Sequence, residues 1–126
     1  MKARAVTGNN IPKSPLPFSP AIEAGQFVFV SGQASVDQNG TIVADTFQGE
    51  MARSIDNVAK VLANANLTLR DVVQSRCYVG RSEDLEEYNR LYREYFAPPF
   101  PVRTTLVNCL GSLKFEIDVV AFRSED

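Results

Sequence analysis

The stretch "TFQGEMARSIDNVAKVLANANLTLRDVVQSRCYVG", residues 46 to 80, changes its apolar period partway along, and that change decides the fold class. Met51, Ile55, Val58, Val61 and Leu62 recur at helical spacing, with Arg53, Asp56, Asn57 and Lys60 on the other side, so the spacing predicts an amphipathic helix over 46–65. Asp45 or Thr46 can cap its start. Asn66 stands where a left-handed C′ residue belongs, a conformation asparagine accepts better than any residue but glycine. "RDVVQSRCYVG" (70–80) then reads as a strand. In a chain of 126 residues, this helix followed closely by a strand implies one α+β domain spanning 1–126.

Upstream, residues 10–20 hold four of the seven prolines and predict an extended or looping lead-in. Phe27 to Val30 is a continuous apolar run, as expected of a strand covered on both faces or lying in an oligomer interface. Asn39-Gly40, between Ala34–Val36 and Thr41–Val43, predicts a short hairpin turn. Downstream, Ser82 is placed as the N-cap of a second helix. Its acids Glu83, Asp84, Glu86 and Glu87 come early, Arg90 and Arg93 come late, and Pro98-Pro99 stops it. Its stripe of Leu85, Tyr88, Leu91, Tyr92, Tyr95 and Phe96 is read as packing. Strands over 102–109 and 115–122 follow and are expected to pair antiparallel. The order ββ(β)αβαββ predicts a mixed sheet with both helices on one face. Runs such as "FVFV" and "DVVAF" are too apolar to face water, which predicts association through the second face.

Composition narrows the chemistry. Thirteen Lys and Arg stand against fifteen Asp and Glu, a net charge of −2, with no basic stripe, which argues against a nucleic-acid partner. No apolar run reaches the roughly 18 residues of a membrane helix, and the first fifteen residues lack a continuous apolar segment, so a soluble cytoplasmic protein with no membrane partner is expected. Cys77 and Cys109 both fall in predicted strands and are read as reduced core thiols. There is no histidine, which removes the usual zinc sites, the Ser-His and Cys-His pairs and the commonest general base. Carboxylates, lysine, tyrosine, arginine, hydroxyls, backbone groups and water remain.

Within that set, "PPFPVRTTLVN" (98–108) places Arg103 at a strand start, on the same face as Thr105, Val107 and Cys109. Glu116 is a matching charge in the last strand. Two readings stand side by side: a cross-strand ion pair at the sheet edge, typically under about 1 kcal/mol if exposed, or a guanidinium fork holding a small carboxylate. Ser31 and Gly32 end a strand where glycine lets a ligand approach the backbone, or they mark a bulge. Asn89 lies beside the apolar stripe of its helix, either as a surface amide or as a partner for a neighbouring segment.

Taken in order, "PFSPAIEAG" (17–25), "FVSGQ" (29–33), "SIDNVAKVLANANLTLRDVV" (54–73), "YNRLYREYF" (88–96), "PFPVRTTL" (99–106) and "FEIDVVA" (115–121) resemble the RidA family, the reactive intermediate imine deaminases also called the YjgF family. The resemblance implies a chorismate-mutase-like α+β fold and a homotrimer with clefts between subunits. It implies hydrolysis of 2-imino and enamine acids, such as 2-iminobutanoate, 2-iminopropanoate and 2-aminoacrylate, to 2-keto acids and ammonia, with no metal and no organic cofactor. Carried over by position, Arg103 holds the substrate carboxylate and Glu116 orients or activates water. Backbone carbonyls near Arg103 and Thr105 hold the iminium nitrogen, and Ser31, Gly32, Phe18 and Asn89 line the cleft. Thr105 stands where the family's deaminases usually have cysteine, and Phe18 where many have tyrosine. The alternatives are a non-enzymatic trimer that binds small carboxylates or acts as a stress holdase, and a specialised pathway deaminase such as one acting on aminomuconate.

Overall fold

The computed structural model describes residues 2–125. Helix α1 runs Phe47–Ala63, and Thr46 caps it by accepting from the Gly49 amide at 3.1 Å. Asn66 adopts φ 60°, and the Leu67 amide reaches back to the Leu62 carbonyl at 2.9 Å, which closes the helix end as expected. Helix α2 runs Leu85–Tyr95. Ser82 is not its N-cap: residues 82–84 form a 3-10 turn that leads into α2, and the Ser82 hydroxyl faces Glu83 instead.

Six strands form one sheet in the order β1-β2-β3-β6-β4-β5. They are β1 Arg4–Ala5, β2 Ala21–Ala24, β3 Phe27–Ala34, β4 Val72–Val79, β5 Val102–Val107 and β6 Phe115–Phe122. All neighbours are antiparallel except β4 and β5, which are parallel. The expected antiparallel β5–β6 pair is therefore absent. A helix between two strands returns the chain to the same end of the sheet, so β4-α2-β5 is a crossover unit with parallel strands. β6 then passes over the end of β4 and inserts between β3 and β4. Gly80 permits that passage, because a Cβ there would meet the Leu113 carbonyl at 2.7 Å and Lys114 Cα at 3.2 Å.

Both helices lie on one sheet face. Val28 and Val30, Cys77 and Val79, and Phe115, Ile117, Val119 and Ala121 point to it and are buried beneath Met51, Ile55, Val58, Leu62, Tyr88 and Leu91. Removing one of these large side chains costs about 2–5 kcal/mol. Asn57 is a correction: rather than facing water, it is buried and donates to the Ala34 and Val36 carbonyls at 3.0 and 3.1 Å, pinning α1 to the end of β3. Glu50, only 1 % exposed, likewise accepts from the Lys114 amide at 3.0 Å and pairs with its ammonium at 3.4 Å.

The opposite face is uncovered. Phe27 and Phe29 alternate with buried Val28 and Val30, so the "FVFV" run is buried on one side only within the chain. Phe29 stays 47 % exposed, and Val73, Val102 and Leu106 are exposed as well. The Asn39-Gly40 hairpin reduces to a single bridge, Val36 to Ile42, and only Gly40 takes a positive φ. Cys77 is a core thiol, but Cys109 lies beyond the end of β5 and is exposed. Among the described residues no helix is long and apolar enough to cross a membrane.

Candidate functional site

Because β5 runs parallel to β4, Arg103 lies opposite Ser75 and Thr105 opposite Cys77, both buried positions on the helix face. That register aims Arg103 at α2. Its guanidinium carbon sits 4.9 Å from the Tyr88 ring centre and 4.8 Å from that of Tyr92, and its Nη2 donates to Asn89 Oδ1 at 2.8 Å. Tyr88 and Tyr92 are one helical turn apart, so their rings form a corner with centroids 6.1 Å apart and planes at 67°. The cation is attracted by both ring faces, while Asn89 fixes its rotation.

The rings are themselves anchored. The Tyr92 hydroxyl and Ser75 Oγ share a hydrogen bond of 2.8 Å, and the Tyr88 hydroxyl and Thr105 Oγ1 share one of 2.7 Å. Burial pushes both phenols up in pKa, so they stand neutral beside the arginine. Burial also pushes the Cys77 thiol up, which keeps it a neutral core group rather than a nucleophile.

Arg103 has no carboxylate partner among the described residues. Arg4, Arg53, Arg76, Arg81, Arg90 and Arg123 all have one. The cross-strand ion pair with Glu116, one of the two readings of Arg103, does not form, because β4 lies between their strands and the two side chains leave opposite faces of the sheet. A cavity of about 210 Å³ opens beside the guanidinium, lined by Asn89, Tyr92, Arg93, Phe100, Pro101 and Arg103.

Glu116 belongs to a second group. It projects from β6 on the uncovered face, and its carboxylate lies against Gly32, where any Cβ would collide with it. Gly32 sits where the β3–β6 register shifts between Val30 and Gln33. The Glu116 side chain makes no hydrogen bond or ion pair among the described residues. Burial, with the Asp118 charge second, raises its pKa above the ordinary carboxylate value. Asp118 is held at 2.8 Å by Arg76 and at 2.7 Å by Tyr78, whose own phenol is pushed up to about 12, chiefly by burial. Phe18 shares a cavity of about 450 Å³ with Gly32 under the proline-rich segment. Ser31 donates to the Ser19 carbonyl at 2.6 Å and its amide to that of Pro20, so it ties this segment to β3.

The seven expected site residues thus form two separate groups, the half-sites of the candidate site. Arg103, Thr105 and Asn89 lie together at β5 and α2; Glu116, Gly32, Ser31 and Phe18 lie together at β3 and β6. β5 lies two strand spacings, about 10 Å, from β6, which carries Glu116, and three, about 14 Å, from β3. Tyr88 and Tyr92, expected from the sequence to serve as packing, also form the wall of the candidate site under Arg103. Their i, i+4 spacing with Asn89 between them was the available signal, and it pointed equally well to a core stripe.

A family model described as endoribonuclease L-PSP matches residues 8–123. A RutC family protein of Pyrococcus horikoshii is 32 % identical, over 90 % of this chain and 93 % of its own. The 2-iminobutanoate/2-iminopropanoate deaminase of Salmonella typhimurium is 25 % identical, over 96 % of this chain and 98 % of its own. RidA from an Antarctic Psychrobacter shares the fold, with a TM-score of 0.85 at 21 % identity over 94 % of this chain and 98 % of that one.

Proposed function

Because the chain belongs to the endoribonuclease L-PSP family, also called the RidA or YjgF family, we propose that it hydrolyses 2-imino acids and their enamine tautomers to 2-keto acids and ammonia. The observation that carries this reading is Arg103: a guanidinium without an acid partner, oriented by Asn89 and two tyrosine rings, opening onto a cavity sized for a small acid. A fork held in this way is prepared for a carboxylate.

The chemistry asks little of the protein. The iminium carbon is already electrophilic; water adds to it, a proton moves to nitrogen, and the tetrahedral intermediate expels ammonia as the carbonyl forms. Orientation and charge placement supply most of what is needed. β5 is an edge strand, so the carbonyls of its outer edge are open to an iminium N–H. Glu116, a carboxyl held above its usual pKa and free of partners, is suited to orient the water and pass its proton.

Arg103 and Glu116 of one copy are too far apart, and on the wrong faces, to share a substrate. The active unit in this reading is a homotrimer in which the Arg103 half-site of one copy meets the Glu116 half-site of the next. The uncovered sheet face, with Phe27, Phe29, Val73 and Leu106 exposed, supports such assembly. Thr105, in the place of the family's usual cysteine, keeps a hydroxyl that steadies Tyr88 and leaves the carbonyls of β5 to do the binding.

The test is to release 2-iminobutanoate with a threonine dehydratase, trap it with semicarbazide, and follow its loss with wild type and Arg103→Ala. Wild type accelerates the loss and Arg103→Ala does not. No acceleration by wild type rejects the reading, and a fully active Arg103→Ala rejects the anchor.

A further inference from the structure

We propose that Arg93 is a second anion anchor in the Arg103 cavity, and that the site prefers 2-imino acids carrying a second, distal carboxylate. This deepens the deaminase reading and rests on it for the word "imino"; the pairing of two arginines in one cavity does not.

Arg70, Arg93 and Arg103 are the arginines that lack a carboxylate within ion-pair distance among the described residues, and two of them, Arg93 and Arg103, line the same small cavity. Both lean on Asn89: Arg103 donates to its side-chain oxygen at 2.8 Å, and Arg93 donates to its backbone oxygen at 3.0 Å. One residue therefore sets the position of both guanidinium groups. The acids nearest along α2 do not neutralise Arg93, because Glu87 and Glu94 pair with Arg90 at 3.8 and 4.0 Å.

A guanidinium keeps its charge at any physiological pH. Two of them on one cavity wall repel unless an anion lies between or across them. A monocarboxylate occupies one fork and leaves the second unanswered; a dicarboxylate answers both. A cation in the last turn of α2 also suits the helix dipole, but that role is met by any basic residue and needs no cavity. Phe100 and Pro101 complete the wall with apolar surface, which fits the methylenes that separate two carboxylates.

The experiment has a binding arm and a catalytic arm, both on the full-length protein. Calorimetry compares 2-oxobutanoate with 2-oxoglutarate as product probes, for wild type, Arg93→Gln and Arg93→Lys. Wild type is expected to bind the diacid tighter by roughly tenfold or more, Arg93→Gln to lose that preference while keeping its affinity for the monoacid, and Arg93→Lys to recover part of it. Equal affinity of wild type for the two acids, or an Arg93→Gln that weakens both alike, overturns the proposal. The catalytic arm measures loss of 2-iminobutanoate and of 2-iminoglutarate released in situ by an amino-acid oxidase. Turnover of the monoacid with no preference for the diacid leaves the deaminase reading standing and sinks this one. If neither imine is turned over, the deaminase reading fails, and the binding arm alone decides whether Arg93 is an anchor.

Discussion

Arg103 and Asn89 are joined by a 2.8 Å hydrogen bond that runs from the second residue of an edge strand to the middle of the helix preceding it in the chain. The bond leaves most of the guanidinium's donors unused, so it orients the fork without occupying it.

Asn89→Ala removes that orientation and leaves the charge and both rings in place. Losing one hydrogen bond to a charged group costs about 1.5–3 kcal/mol, so KM for a 2-imino acid should rise about tenfold or more with kcat less affected. Arg103→Lys keeps the charge and loses the fork, and kcat/KM should fall further than in Asn89→Ala. Steady-state kinetics with coupled imine release check both, and unchanged melting temperatures show that the fold is intact.

The Tyr92→Phe and Tyr92→Leu pair separates the ring from its hydroxyl. Phenylalanine keeps the face under Arg103 but removes the partner of buried Ser75, for a stability loss of about 1 kcal/mol and little change in substrate affinity. Leucine removes the face too, so the affinity for small carboxylates should drop in addition. Chemical denaturation and keto-acid titration read the two effects independently, and equal carboxylate affinity in the two variants would show that the ring face does not matter.

Much of this arrangement was legible in the sequence because it follows from local rules. Helical periodicity located α1, the left-handed preference of asparagine placed its end at Asn66, and the arginine at the start of β5 stood out by charge. What was not legible depends on topology. Residues 102–109 and 115–122 looked like a hairpin because they are neighbours in sequence, yet α2 forces β5 parallel to β4 and sends β6 to the middle of the sheet. A polar residue on an amphipathic helix reads as solvent-facing, and Asn57 defeats that rule by finding two backbone carbonyls at the edge of the core. Tyr88 and Tyr92 show the same limit from the other side: their apolar rings fit a core stripe, and only the position of Arg103 reveals that their faces also hold a guanidinium.

Glu116 gives a pH prediction. Its carboxyl lies above the ordinary value of 4.5 because burial, then Asp118, disfavours the charged form. From pH 4.5 up to the folded value, the native state therefore binds more protons than the unfolded chain, and stability falls as pH rises through that window. Below 4.5 the cost is absent, and above the folded value it is fully present. Glu116→Gln removes it, so the variant should melt higher than wild type at about pH 8 and equal to it at about pH 4. Melting curves that differ by the same amount at both values would show that the burial of Glu116 is not the cause. Activity should move the opposite way, with Glu116→Gln losing nearly all imine hydrolysis.

Gly32→Ala tests the other half-site by sterics alone. A methyl group there meets the far end of the Glu116 carboxylate, a flexible group that can swing aside, so the fold should survive with a change of under about 1 kcal/mol. The carboxylate, however, is displaced from the position at which the proposed mechanism has it hold water, and kcat should fall about tenfold or more. Imine-loss kinetics beside a denaturation curve distinguish a moved catalytic group from a damaged sheet.

The two half-sites make complementation the most direct test of assembly. If each working site takes Arg103 from one copy and Glu116 from its neighbour, Arg103→Ala and Glu116→Gln are each inactive alone for different reasons. Unfolded together and refolded as mixed oligomers, they place an intact Arg103, from the Glu116 variant, beside an intact Glu116, from the Arg103 variant. Random assembly of equal amounts gives about half times half, so roughly a quarter of the interfaces should carry both groups in a head-to-tail ring. Activity should rise from near zero in either variant to about that fraction of wild type, and it should not rise when the folded variants are mixed without exchange. A site completed within one copy would show no recovery under either condition, because every copy would still lack one of the two residues.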